Sequence, residues 1–111
     1  MASPTPSADE VYQLTAHARS VVALSDTVRG RYRRRSHPSD PARREALADA
    51  HGRLVTVAED LRRERIRAAR DSEFAAAYGV ILANASRQVR KERYSVYRML
   101  NPGGTLWTPS A

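Results

Sequence analysis

From Ser7 onward, apolar and small residues recur every three or four positions: Val11, Leu14, Ala18, Val21, Ser25, Val28 and Tyr32. That period belongs to one face of a helix and predicts an element over about 7–32, with Val22 and Leu24 widening the seam. Ser7-Ala8-Asp9-Glu10 has the form of a capping box, in which the serine hydroxyl accepts from an amide three residues on and Glu10 reaches back. Pro38 disfavours helical backbone at His37, so this helix should end between Gly30 and Arg35. Asp40 is a good N-cap, and Pro41 at the first helical position loses no needed N–H. The seam behind them is Leu47, Leu54, Val57, Ala58 and Leu61, which predicts a second helix over about 40–70. Asp40/Arg44, Asp49/Arg53 and Glu59/Arg63 are acid-first pairs four residues apart, the mark of a solvated face. The third seam is Phe74, Tyr78, Ile81, Leu82, Ala85, Val89, Val96 and Met99, a helix over about 73–100 stopped by Asn101-Pro102-Gly103-Gly104. No alternating strand pattern occurs, so the fold class is all-α.

The junction at 62–73 leaves two architectures. It is polar and arginine-rich, as expected where a helix pair ends in water, and Asp71 or Ser72 can cap a new helix. It also lacks any Gly or Pro, and a seven-residue series runs straight through it: Leu47, Leu54, Leu61, Ala68, Ala75, Leu82, Val89 and Val96. A turn there gives a three-helix up-down-up bundle, the favoured arrangement. Without the turn, a continuous helix over 41–100 would be a rod of about 90 Å, paired with the first helix and with a second chain. Residues 7–100 make a single helical domain. Residues 1–6, with two prolines and no periodicity, read as a disordered tail, and residues 101–111 as a C-terminal tail. Leu106 and Trp107 are the one apolar spot outside the helices. They either dock back on the bundle or anchor a partner.

Composition narrows the chemistry. The chain has 111 residues and no cysteine, which excludes disulfides, a thiol nucleophile and Cys-based zinc sites. Its longest apolar stretch, Phe74 to Ala83, is about half the length a bilayer-crossing helix needs. The N-terminus lacks a basic region followed by an apolar one, so a cytoplasmic protein is expected. Nineteen basic residues face 12 acidic ones, a net charge of +7, and every basic residue but Lys91 is arginine. A GC-rich coding sequence is the first explanation for that excess.

Placed on the helices, the charge is not spread evenly. Residues 29–44 hold seven arginines against Asp40, and residues 87–98 hold five basic residues against Glu92. In an up-down-up bundle both stretches meet near one pole. Arginine forks match phosphate oxygens and tyrosine rings can stack on bases. The candidate anion- or nucleic-acid-binding set is therefore Arg29, Arg31, Arg33, Arg34, Arg35, Arg43, Arg44, Arg87, Arg90, Lys91, Arg93, Tyr94, Tyr97 and Arg98. Arginine near helix C-termini also complements the helix dipole, which needs no ligand.

Catalytic patterns are missing. His17 and His51 would lie about 10 Å apart along the paired helices, and no His-Glu-x-x-His occurs. The adjacent acids Asp9-Glu10 and Glu59-Asp60 point about 100° apart on a helix and do not converge on one cleft. Glu64, Asp71 and Glu92 fall on or near the inner face, where a solvated turn suits the first two better. Gly103-Gly104 lacks the Lys-Ser/Thr of a phosphate loop, and Asn84-Ala85-Ser86 is a chance sequon inside a helix. The expectation is a non-enzymatic helical-bundle protein without cofactor or metal. It would act by binding another protein or a second copy of itself, with scope for a regulatory role. The alternative is a nucleic-acid-associated factor that uses the arginine-rich pole.

Overall fold

A computed structural model describes residues 7–33 and 39–101. The two tails lie outside the described residues, and with them Leu106 and Trp107; so do Arg34, Arg35 and His37. Three helices follow one another: α1 (Ala8–Tyr32), α2 (Pro41–Ala68) and α3 (Ser72–Leu100). Each starts at a side-chain cap. Ser7 accepts from the Glu10 amide, Asp40 from Ala42, and Asp71 from both Glu73 and Phe74. Such caps satisfy amides that the first helical turn leaves without partners.

The chain turns between α2 and α3, so the bundle forms and the rod does not. The amides of Ala69, Arg70 and Asp71 close back on the carbonyls of Arg65, Arg67 and Ala68. Asp71 then takes extended backbone (φ −125°, ψ 111°), and its carboxylate caps the next helix. Ala69 keeps right-handed helical backbone and Asp71 extended backbone, conformations that need no glycine. The seven-residue series survives the turn because both helices face one core. Leu47, Leu54, Leu61, Ala68, Leu82, Val89 and Val96 are all buried, and only Ala75 is half-buried. The molecule measures 49 × 25 × 24 Å, about half the length of the rod.

All three helix pairs touch, and cross-helix contacts fix their directions. Glu10 meets Arg67 and His51 meets Tyr97, so α2 runs antiparallel to both neighbours. Tyr12 meets Tyr78 and Ser25 meets Glu92, so α1 and α3 run parallel. The core is built of Val11, Ala18 and Val21 from α1, Leu47, Leu54, Val57 and Leu61 from α2, and Leu82, Ala85, Val89 and Val96 from α3. Fully burying each such Leu or Val contributes about 1.5–3 kcal/mol. Leu24 departs from the predicted seam: it is 55% exposed, on the outer edge of α1. Of the three predicted acid-first pairs, only Asp49–Arg53 forms as an ion pair; Arg63 reaches Asp60 instead. Among the described residues no helix is long and apolar enough to cross a membrane.

Candidate anion-binding pole

The end of α1, the start of α2 and the end of α3 meet at one pole of the bundle. The two arginine-rich stretches are in direct contact there, through Arg29 of α1 and Glu92 of α3. Arg31, Arg33, Arg44 and Arg98 are exposed around this pole. Arg87, Arg90 and Lys91 sit about 15–20 Å below the end of α3 at 1.5 Å per residue. They are exposed as well, and with Tyr94 and Arg98 they follow the three-to-four spacing of one outer face. The Arg98 guanidinium carbon lies 5.8 Å from the centre of the Tyr94 ring, within range of a cation–π contact. Arg87 hydrogen-bonds the Asn84 side chain. Arg93 and Tyr97 are half-buried.

One acid in this region is internal. Glu92 is 6% exposed and sits on the seam of α3 between Val89 and Val96. Its Oε2 accepts from Ser25 Oγ at 2.7 Å and from Arg29 Nε at 2.6 Å, and its Oε1 accepts from Arg29 Nη2 at 2.8 Å. Arg29 Nη2 also donates to Asp26 Oδ1 at 2.8 Å. The pair is therefore a two-pronged fork, the strong form of an arginine–carboxylate contact. The hydrogen bonds to Glu92 hold the Arg29 guanidinium above its ordinary pKa, and they outweigh the desolvation that acts the other way. This sets Arg29 apart from Arg31, Arg33, Arg44 and Arg98: its guanidinium is engaged inside the protein, while theirs are exposed.

Two further basic side chains are drawn inward. Arg43, in the first turn of α2, is 7% exposed, and its Nε and Nη1 have no hydrogen-bond partner among the described residues. His51 lies two turns further along α2. Its ring centre is 6.5 Å from that of Tyr97, and its Nε2 is buried with no hydrogen-bond partner among the described residues. Burial pushes the His51 pKa down, and the nearby Arg93 cation adds to the effect.

The internal ion pair was not read from sequence, although a signal for it exists. Glu92 is the lone acid of a basic stretch and falls at a seam position, and Ser25 is a polar residue on the seam of α1. Two polar residues on facing apolar seams are each expected to find a partner, because burying them unpaired is costly. Arg43 shares the seam register of α2, four residues before Leu47 and seven before Ala50, whereas Arg44 lies about 100° further round the helix.

Elsewhere the surface offers open grooves. One groove of about 670 Å³ lies between α1 and α2 and is lined by His17, Val21, Leu24, Ala48, Gly52 and Thr56 among others. Among the described residues no three His, Asp or Glu side chains gather closely enough to hold a metal ion. No protein-family model, curated protein or solved structure matches the chain.

Proposed function

We propose that this is a non-enzymatic binding protein that contacts the phosphate backbone of a nucleic acid through its basic pole and the outer face of α3. The observation that carries this reading is how the cations are partnered. At the far end, residues 59–73 carry five acids for five arginines; Arg63 and Arg67 are each paired with one, and Arg62, Arg65 and Arg70 have acids close by in sequence. By contrast, Arg31, Arg33, Arg44, Arg90, Lys91 and Arg98 form no ion pair among the described residues. Unneutralised cations gathered on one side raise the local potential and attract polyanions.

Six phosphate contacts make affinity fall steeply with salt, by about a thousandfold between 50 and 200 mM. The test is binding of a fluorescent oligonucleotide across that range. Changing Arg33, Arg44, Arg90, Lys91 and Arg98 together to Gln should abolish binding while the helical circular dichroism stays intact. No binding at 50 mM salt by the unaltered protein would refute the proposal.

A second reading, binding of another protein or of a second copy, is supported by the groove beside Leu24, where a large apolar side chain is half-exposed. Sedimentation of the protein and of Leu24→Glu tests it for self-association. A concentration-dependent dimer that the substitution dissociates favours this reading, and a monomer throughout counts against self-association.

A further inference from the structure

We propose that the pole holds a discrete site for a phosphate-class oxyanion, seated on the buried Arg43 at the start of α2. The nucleic-acid reading above uses exposed side chains; this site stands on an internal one and does not depend on that reading.

An arginine side chain is seldom this deeply buried unless it is paired, because a desolvated charge is costly. Arg43 is 7% exposed, and two of its three guanidinium nitrogens, Nε and Nη1, lack hydrogen-bond partners among the described residues. Nε lies on the side edge of the guanidinium and Nη1 on its end, so each edge keeps an unpaired, buried donor.

The acids of the pole are otherwise engaged or misplaced. The Asp40 carboxylate caps the Ala42 amide. Glu92 is held by Arg29 and Ser25, and Asp26 by Arg29. Glu45 is two residues along from Arg43 and so points to the far side of α2. Residues 1–6, 34–38 and 102–111 contain no Asp or Glu at all. No acidic side chain outside the described residues is therefore left to pair with Arg43.

The backbone adds to the imbalance. A helix N-terminus carries about half a positive charge, which acids in the first turn normally offset. The first turn of α1 has Asp9 and Glu10, and that of α3 has Glu73. The first turn of α2 has no acid, and it continues into Arg43 and Arg44. The buried Arg43 guanidinium and the positive end of the helix thus have Asp40 as their one nearby acid, and Arg44, exposed one residue on, adds a second cation. A dianion with several acceptor oxygens matches that charge, as a phosphate or phosphate monoester does. A monoanionic carboxylate would leave positive charge over.

The experiment is thermal unfolding of the full chain, titrated with inorganic phosphate at constant ionic strength made up with chloride. Binding only to the folded state raises Tm by an amount that grows with the logarithm of ligand concentration above Kd, on the order of 5–10 °C at ten times Kd. Arg43→Met should abolish the phosphate-specific rise. It should also melt above the unaltered protein in phosphate-free buffer, because it removes an unpaired buried cation. A Tm that responds to phosphate no more than to chloride overturns the proposal, and so does a phosphate response that persists in Arg43→Met.

Should Arg43→Met fail to fold, the unaltered protein still decides the matter by NMR. Phosphate should shift the Arg43 Nε–H resonance, and the exposed change Arg44→Gln should weaken phosphate binding about tenfold. An unmoved Arg43 resonance overturns the proposal. Repeating the titration with a short oligonucleotide separates the two sources of the anion. If it competes with inorganic phosphate, a nucleic-acid phosphate takes the site; if both bind together, the site serves a free phosphate.

Discussion

The Arg29–Glu92 pair predicts an asymmetry between two substitutions. Arg29→Met leaves the Glu92 carboxylate, whose side chain is 7% exposed, with only the Ser25 hydroxyl as partner. Removing one member of a buried pair so that the other stays charged and unpaired costs about 3–5 kcal/mol. Glu92→Gln keeps the shape and a hydrogen bond to Ser25. Arg29 then falls back on Asp26, already at 2.8 Å, and its side chain is 15% exposed, so water reaches it. That change should cost about 1–3 kcal/mol, the scale of lost hydrogen bonds to a charged group.

Against a total stability of about 5–15 kcal/mol for a domain, the first change removes a large share. Replacing both residues with apolar ones, as Arg29→Met with Glu92→Leu, should recover most of that loss, because no charge is left buried. Urea unfolding followed by helical circular dichroism measures all three, together with their coupling energy. The argument fails if Glu92→Gln is the more damaging single change, or if both singles cost less than about 1 kcal/mol. It also fails if the double variant is no better than the sum of the singles.

Three other predictions follow from the fold. Asp71→Ala with Ser72→Ala removes the cap that starts α3 and should cost about 0.5–2 kcal/mol. It should also favour a continuous α2–α3 rod, visible as a domain-swapped dimer in sedimentation; a variant that stays monomeric at high concentration argues against that coupling. Leu54→Ala, at a fully buried position, should cost about 2–5 kcal/mol in urea unfolding, and a loss below about 1 kcal/mol would mean that the three helices do not close on one core. Because the His51 pKa is lowered in the folded state, the unfolded chain takes up its proton first as pH drops below about 6.5, so stability should decline from there until the folded protein protonates too. His51→Gln should flatten that part of the stability–pH curve between pH 7.5 and 5.5, and an unchanged slope would place the effect elsewhere.

Much of the fold was legible because it is local. The capping sites Ser7 and Asp40, and Asp71 as one of two candidates for the third cap, follow from side chains that satisfy amides within their own first turn. The helical seams follow from a periodicity that needs no knowledge of the partner helix. The candidate pole was legible for a similar reason: charge is a property of each residue, and an up-down-up order alone carries 29–44 and 87–98 toward one end. Which side chains pair across the helices, and which edge of a seam stays uncovered, were not legible. Leu24 lies outside the core, on an open groove between α1 and α2 that leaves its edge of the seam uncovered.

The sequence by itself determined that the chain is three amphipathic helices with its positive charge gathered on two short stretches, since both properties are set within single turns of backbone. Only the tertiary structure decided that the chain turns at 69–71, that Glu92 and Arg29 close on each other, and that Arg43 is taken inside while Arg44 beside it stays in water. Each of these depends on groups distant in sequence, or on which side of a helix its neighbours cover. A buried charge takes its energy from what surrounds it, and those surroundings exist only once all three helices are packed.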